Sequence, residues 1–447
     1  MNAVKHPFKI LTPGLHIKRW VVLGALGAVV FLLGLGVRQQ VTRPGFKPML
    51  LRAADWIIGH PLGIAPATLG LILTICGFLL FLFGIYKLMH SIVSILDPGM
   101  GVGDLVEVVY RKRKLTQGRR IVVIGGGTGL STMLRGLKQY SANITAIVTV
   151  ADDGGSSGKI KKQLGILPPG DIRNCLVALA DSERQMTELF QYRFRNSVQP
   201  EKIAKPVESG EGYGEGLRDH AFGNLLIAAM CAINEGDFEA AVRETSRVLN
   251  IRGRVLPSTI ADVMLRGEME DGSTLDGETT IAHSLLKIKR VTLVPENPCP
   301  AEDVIEAIQQ ADIIVLGPGS VFTSIIPNLL VQGVADALRR SSAKKVYVCN
   351  VMTQPGETDG FSAYDHVHRI ETHAGQRVFE YVLVNTGEPN IELLEKYRKV
   401  GSVLVEADTD RIRRDGYRPI TGNFINESDV VRHNSDGLAK AIMKLIK

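Results

Sequence analysis

Cysteine is scarce and scattered. The five, Cys76, Cys175, Cys231, Cys299 and Cys349, form no Cys-x-x-Cys pair, which excludes a zinc ribbon or a disulfide framework and fits a reducing compartment. A dinucleotide fingerprint is missing too. Read from Gly125, Gly-x-Gly-x-x-Gly needs glycine at position 130, where the chain has Leu130, so nicotinamide redox chemistry is disfavoured. No Gly-Lys-Ser/Thr follows any glycine loop, which disfavours Walker-type ATP hydrolysis. Repeats and low-complexity tracts are absent, and no residue declares itself a nucleophile. The chain therefore advertises a binding crevice more clearly than a reaction.

What is present begins with two long runs that carry no charge, Trp20 to Val37 and the Leu-, Ile- and Phe-rich Pro66 to Tyr86. Each is long enough to cross a hydrocarbon core of about 30 Å as a helix. Residues 1–96 are thus expected to form a transmembrane hairpin. A cleaved signal peptide is not expected, because the first run lacks a small-residue cleavage site and a second run follows. Lys5, Lys9, Lys18 and Arg19 precede the first run; Lys87, Arg111, Lys112, Arg113, Lys114, Arg119 and Arg120 follow the second. The connecting loop holds Arg38, Arg43, Lys47 and Arg52, partly offset by Asp55. The two flanks outweigh the loop, which places both ends inside. The expected location is the inner or plasma membrane, multi-pass, with the main domain in the cytoplasm. The net charge of +6 sits largely before residue 121. It reads as a membrane flank and not as a nucleic-acid footprint. The Arg111–Lys114 cluster suits anionic headgroups or, equally, a solvated linker.

Residues 97–120 form a connector. Asp97-Pro98-Gly99 and Gly101-Val102-Gly103 break the preceding helix, and Asp104 to Leu115 predicts a short helix or strand. From Ile121 to the end the pattern alternates strand and helix. Strands are expected at Ile121–Ile124, Ile144–Val150, Ile313–Leu316, Val346–Cys349 and Tyr381–Asn385. Helices are expected at Leu130–Tyr140, from Asp171 through Ala180, and at His220–Ile233, Ala301–Gln310 and Ile325–Leu338. Residues 197–219, rich in Glu and Gly, are expected to be a mobile loop, and 245–295 a strand-rich insert. This alternation predicts an α/β fold, a Rossmann-like doubly wound and mostly parallel sheet with a β-rich insert.

Four of those strands run straight into loops of small residues or carboxylates, and open parallel sheets bind ligands at the carboxyl ends of their strands. Gly125, Gly126, Gly127, Thr128 and Gly129 suit an anion at a helix start. Asp152 and Asp153, followed by Gly155, Ser156 and Ser157, suit a ribose diol or Mg²⁺, with one carboxylate expected to be functional and the other structural. Asp171 is a natural helix cap, and Arg173 suits a bidentate clamp on phosphate or carboxylate. Asn174 lies beside it, and Asn224 sits among apolar neighbours and needs partners. Gly317, Gly319 and Ser320 repeat the glycine-loop design as a second anion cradle, with Thr323 as a further hydroxyl donor. Glu357 and Asp359 are candidate acids, although loop carboxylates are mostly solvated. His366, His368 and His373 lack an obvious carboxylate or cysteine partner and read as structural or ligand-edge histidines, not a metal site. One shared crevice for a nucleotide or a phosphorylated metabolite is the expectation.

The runs VVIGGGTGLSTMLRGLK, VTVADDGGSSG, GILPPGDIRNCLVALA, HAFGNLL, LGPGSVFTSIIPNLLV and NVMTQPGETDGFSAYDHV resemble the gluconeogenesis factors of the YvcK group. That group lies within the wider CofD-like superfamily, which includes the phospholactate transferases of deazaflavin cofactor synthesis. The resemblance covers roughly residues 119–447. It implies a Rossmann-like domain that binds a UDP-sugar, UDP-N-acetylglucosamine in the best-known cases. It implies a role in carbon-source-dependent cell shape and peptidoglycan synthesis, without an established catalytic activity. By resemblance, Gly126, Gly127, Thr128, Asp152, Asp153, Asn174, Asn224 and Ser320 line the ligand site, and Tyr364 is its aromatic contact. Expected partners are the UDP-sugar, the membrane, further copies of the chain and cell-wall synthesis proteins, with no nucleic acid. The N-terminal hairpin departs from the many family members that are wholly soluble. The rival expectation is a Mg²⁺-dependent transferase of phosphoryl or phospholactyl groups.

Overall fold

The computed structural model describes residues 17–42, 66–96, 102–181, 183–194, 217–284, 286–427 and 430–446. The helix-breaking segment 97–101, the basic residues Lys5, Lys9, Arg43, Lys47 and Arg52, and positions 197–216 of the expected mobile loop lie outside them. The chain forms two compact units, Met1–Arg113 and Lys114–Lys447.

In the first unit, helices cover Lys18–Thr42 and Pro66–Leu96. Two stretches within them, Lys18–Arg38 and Ala67–Ile92, are long and apolar enough to cross a membrane by length and composition. Glycine lets these helices meet backbone to backbone. Gly70, Gly77 and Gly84 recur every seven residues. A Cβ on Gly77 would collide with the backbone of Phe31, and one on Gly84 would lie 2.7 Å from the Gly24 α-carbon. On the facing helix, Gly27 abuts Phe81 and Gly34 abuts Thr74 in the same way. Small residues at such crossings let two helix backbones approach closely. The Asp104–Leu115 stretch is helical, within Val102–Thr116.

The second unit is built on strands β1 (Ile121–Gly125), β2 (Ile144–Val148), β3 (Arg254–Pro257), β4 (Met264–Met269), β5 (Thr274–Asp276), β6 (Ile288–Val294), β7 (Ile313–Leu316), β8 (Lys344–Val348), β9 (Tyr381–Asn385), β10 (Arg418–Gly422), β11 (Ile425–Glu427) and β12 (Val431–His433). Seven of them form one sheet in the order β10-β9-β8-β7-β1-β2-β3, every neighbouring pair parallel. Every residue of β1 and β2 is buried, as strands covered by helices on both faces must be. The chain winds from β1 outward to β3, detours through the antiparallel β5-β4-β6 insert, re-enters at β7 beside β1 and winds outward the other way. The order therefore reverses between β1 and β7, the place where open α/β sheets hold ligands.

Four differences from the sequence reading have physical reasons. Within the expected strand-rich insert, Arg254–Pro257 is instead the edge of the main sheet, paired with β2. β10 reads RPITG and is only partly buried, as an edge strand can be, so it carries no hydrophobic run to detect. Helix Gly155–Leu164 starts inside the serine-glycine loop and has a mostly polar sequence. The expected helix over 325–338 is broken into a π turn (Val321–Ile325) and helices Ile326–Leu329 and Val334–Arg340, with Gly333 at φ 76° before the last.

Helix Gly127–Leu137 buries Leu130, Met133, Leu134 and Leu137 against the sheet and packs on helices Gly170–Leu179 and Ser435–Lys444. That packing fixes the glycine loop at its N-terminus.

Candidate functional site

The loops after β1 and β7 touch. A Cβ on Gly129 would collide with the Pro318 carbonyl, and one on Gly319 would lie 3.2 Å from Ser324 Cβ and 3.5 Å from the Gly126 carbonyl oxygen. Asn328 ties the pair from below, its Nδ2 donating to the carbonyls of Gly125 (3.1 Å) and Ser324 (2.7 Å). Above this junction opens a cavity of about 650 Å³, within the usual range for small-molecule sites. Gly126–Gly129, Pro318–Ser320, Thr323 and Ser324 form its floor. Asn350–Pro355 and Glu357 after β8, Glu278 and Ala282 of the insert, Tyr397, Val400 and Ser402, and Val431–His433 of the β11–β12 hairpin form its walls. Another cavity, about 460 Å³ along β3, shares none of these residues.

The paired aspartates divide. Asp153 Oδ1 accepts from Thr279 N (2.9 Å) and Thr279 Oγ1 (2.6 Å). Its other oxygen packs on Gly277, where a Cβ has no room and φ is 95°. Asp153 therefore pins the insert to the sheet. Asp152 accepts from Gly154 N (2.9 Å); burial raises its carboxyl, and the hydrogen bonds from Gly154 and Ser157 oppose the shift. Asp171 lies against the glycine loop, 2.6 Å from where a Cβ on Gly126 would stand. Burial and then the Asp152 charge push it up to about 7, despite a hydrogen bond from the Gly127 backbone. Glu278 is pushed up to about 9 by burial first, then by Asp152 and Asp171. Glu357, to which the Ser320 hydroxyl donates, is raised by burial.

Such a cluster is the chemistry of a cation or of shared protons. Among the described residues no group of three or more His, Cys, Asp or Glu is arranged to hold a metal ion. Asp153 commits Oδ1 to Thr279, which leaves its other oxygen, packed on Gly277, as the one it could offer a cation beside Asp152.

Behind the cavity lies a connected polar layer. Arg173 donates from Nη1 to Asn224 Oδ1 and from Nη2 to Asn174 Oδ1, both at 3.0 Å. Asn224 Nδ2 donates to Ser156 Oγ (3.0 Å), as does Ala221 N (3.3 Å), and His220 Nδ1 lies 3.1 Å from the same hydroxyl. Residues 154–158 spell Gly-x-Ser-x-Gly. Ser156 is buried and already has three polar partners, unlike the exposed nucleophile that motif marks elsewhere. Ser157 hydrogen-bonds Asp152 and fills the space left by Gly170.

Of the sequence-predicted residues, Gly126, Gly127, Thr128, Gly129, Gly319 and Ser320 line the cavity. Gly125 and Gly317 end or follow their strands beneath it. Asp152, Asp153, Gly155, Ser156, Ser157, Asp171, Arg173, Asn174 and Asn224 are not among the lining residues. Tyr364 is placed elsewhere. Its hydroxyl donates to Asp415 Oδ2 (2.6 Å), and its ring lies between His368 (6.0 Å, stacked) and the Arg411 guanidinium (4.2 Å).

Sequence reasoning missed Glu278, Tyr397, Arg432 and His433. Arg432 is the one Arg or Lys among the described lining residues. Its hairpin is held by the Val431 N–H donating to the Tyr397 hydroxyl at 3.1 Å. Both ring nitrogens of His433 are buried without a partner, and burial holds the ring down at about 4. No local motif marks these residues; the one signal is Asn434 as a cap for the last helix, which places Arg432 and His433 at an element boundary.

Compared with known proteins, the family model described as 2-phospho-L-lactate transferase CofD matches residues 121–425. The gluconeogenesis factor of Bacillus subtilis (strain 168) is 45% identical over 329 residues, 73% of this chain and 98% of its own length. That of Halalkalibacterium halodurans is 47% identical over 328 residues, 73% and 96% of the two chains. A Nostoc sp. (strain PCC 7120) relative named for the same factor is 46% identical over 447 residues, 99% of this chain and 93% of its own, so its similarity extends through the two long apolar helices. A crystal structure of a UPF0052-family protein from Bacillus halodurans superposes with a TM-score of 0.66 at 46% identity, covering 73% of this chain and 99% of that one. The chain belongs to the gluconeogenesis-factor family, its second unit carrying the CofD-type α/β fold.

Proposed function

We propose that this protein is a membrane-tethered regulator whose Rossmann-like cytosolic domain binds a nucleotide sugar, UDP-N-acetylglucosamine in the first instance. Its output is control of cell-wall synthesis and cell shape according to carbon source. The observation that carries the reading is the junction of two glycine loops between β1 and β7, under a cavity of about 650 Å³ with one guanidinium, Arg432, on its wall. The backbone of the two loops and Arg432 suit a pyrophosphate, with the Gly127 N–H already donating to Asp171. The carboxyl cluster does not forbid an anion there, because Glu278 and Asp171 titrate near 9 and 7 and so carry much less charge near neutrality than their number suggests. The two apolar helices support a two-span anchor that keeps the domain where wall precursors are made. Titration calorimetry of the detergent-solubilised chain with UDP-N-acetylglucosamine tests the binding. Saturable heat is expected; none at millimolar ligand overturns the reading.

A second reading is favoured by the match to the CofD transferase family: transfer of a phosphoryl or phospholactyl group from a nucleotide-activated donor. Its test is turnover of such a donor with and without Mg²⁺. Turnover would displace the regulator reading in favour of catalysis.

A further inference from the structure

Eight buried side-chain atoms among the described residues have no hydrogen-bond partner: Arg173 Nε, Glu278 Oε2, Asn328 Oδ1, Tyr347 Oη, His366 Nε2, Tyr417 Oη and both ring nitrogens of His433. Of the residues that own them, Glu278 and His433 alone line the cavity. Buried polar atoms in folded proteins are overwhelmingly partnered. Both residues border the cavity while their orphan atoms are closed off from solvent, so these atoms become contacts once a bound molecule turns the side chains towards it.

We propose that Glu278 and His433 are the ligand contacts for the uncharged, hydroxyl- and amide-bearing part of the bound molecule, and so set its specificity. The proposal rests on the nucleotide-sugar reading and names the subsite within it. Three observations support it. The two residues come from elements outside the seven-stranded sheet, the insert helix Glu278–Ala282 and strand β12. Each is held in place by its neighbours. Glu278 sits between Gly277 and Thr279, which Asp153 grips. His433 sits between Val431, tied to Tyr397, and Asn434, whose Oδ1 accepts from Gly437 N at 2.9 Å. Finally, both are neutral near pH 7. The Glu278 carboxyl, surrounded by Asp152, Asp171 and Glu357 and bonded to the Thr323 side chain, stays protonated, so it offers a donor. The His433 ring stays uncharged, so it offers one donor and one acceptor. A neutral acid and a neutral imidazole match sugar hydroxyls and an acyl amide. They contribute little to a phosphate, which the glycine loops and Arg432 serve. A site that hydrogen-bonds such groups also rejects molecules lacking them, because its polar atoms are then left unpaired.

The test compares two probes, UDP-N-acetylglucosamine and UDP, by calorimetry on the detergent-solubilised full chain. The variants are Glu278→Ala, Glu278→Gln, His433→Ala, His433→Asn and His433→Leu. Wild type is expected to prefer the sugar nucleotide. Each alanine variant should weaken UDP-N-acetylglucosamine by about tenfold or more, the worth of one or two hydrogen bonds, and leave UDP nearly unchanged. Glu278→Gln and His433→Asn, which keep a donor and an acceptor, should recover part of the loss. Thermal unfolding without ligand separates this from a structural role. His433→Leu should melt at or above the wild-type temperature, because it removes two orphan polar atoms, while losing the sugar preference. Equal losses for both probes, or no loss for either, overturn the subsite and leave nucleotide-sugar binding standing. A wild type that binds neither probe overturns both.

Discussion

Glu278→Gln should change how stability depends on pH, and by an amount the site geometry fixes. Glu278 titrates near 9 in the fold against 4.5 for a free side chain. A raised carboxyl contributes stability fully present below the unfolded value and lost as pH rises towards the folded one. Across that window the native state holds one proton that the unfolded chain has released. One proton corresponds to about 1.4 kcal/mol per pH unit. From pH 5 to pH 8 the wild type should therefore lose about 4 kcal/mol relative to the variant. Asp171, raised from 3.8 to about 7, adds a loss of the same sign up to neutrality. His433, lowered from 6.5 to about 4, acts oppositely below pH 6.5, since its unfolded form takes the proton. Both are present in each protein, so the difference curve isolates Glu278. The assay is urea unfolding at a series of pH values, followed by far-ultraviolet circular dichroism. Two parallel curves from pH 5 to pH 8 would mean that Glu278 ionises like a solvated carboxyl, and the argument from its burial would be wrong.

Asp153→Ala removes both contacts to Thr279 and should cost about 2–3 kcal/mol of domain stability, read as a lowered melting temperature; Asp153→Asn should retain part of it. Gly77→Val places a Cβ into the Phe31 backbone and should destabilise the hairpin by about 1–3 kcal/mol, seen as faster amide hydrogen exchange along Lys18–Thr42 in detergent. Arg432→Ala should weaken UDP and UDP-N-acetylglucosamine alike by about tenfold, with a reduced dependence on salt, both measured by calorimetry. Gly129→Ala drives a methyl into the Pro318 carbonyl, parting the two glycine loops; loss of nucleotide binding together with a lower melting temperature is the expected result.

Much of the sheet was legible because its strands are buried on both faces. IVVIG and IIVL are unbroken apolar runs, and ITAIV is broken only by Thr145; each ends at glycine or a small polar residue, and such runs announce themselves. The edge strand β10 did not, since it is only partly buried and holds arginine and proline; β3 was read as strand but assigned to the insert and not to the sheet edge. The floor of the cavity was legible for a related reason. Backbone-to-backbone contact between two loops demands glycine, and Gly129 and Gly319 stand where the loops meet. The walls were not. Glu278 reaches the site because Asp153 holds a loop 126 residues away, and Arg432 because a hairpin folds back from beyond the last sheet strand. Long-range juxtaposition of that kind leaves no local period or spacing. The carboxylate pair was legible as an oddity but not in its division of labour, which depends on where Thr279 lies.

The glycine loop itself has a double reason. A helix start with bare N–H groups suggests an external anion, yet this one already faces an internal anion, Asp171, against the backbone of Gly126 and Gly127. Glycine at 126 is required by that carboxyl and by the Thr149 methyl, 2.7 Å from where its Cβ would stand, whether or not a ligand binds. The helix end steadies Asp171, while burial beside Asp152 works against its charge, and the balance falls near neutrality. A phosphate arriving at the loop would tip that balance towards the proton, because a second negative charge beside Asp171 raises it further. On the proposed nucleotide-sugar reading, anion binding and proton uptake would be coupled through this one carboxyl.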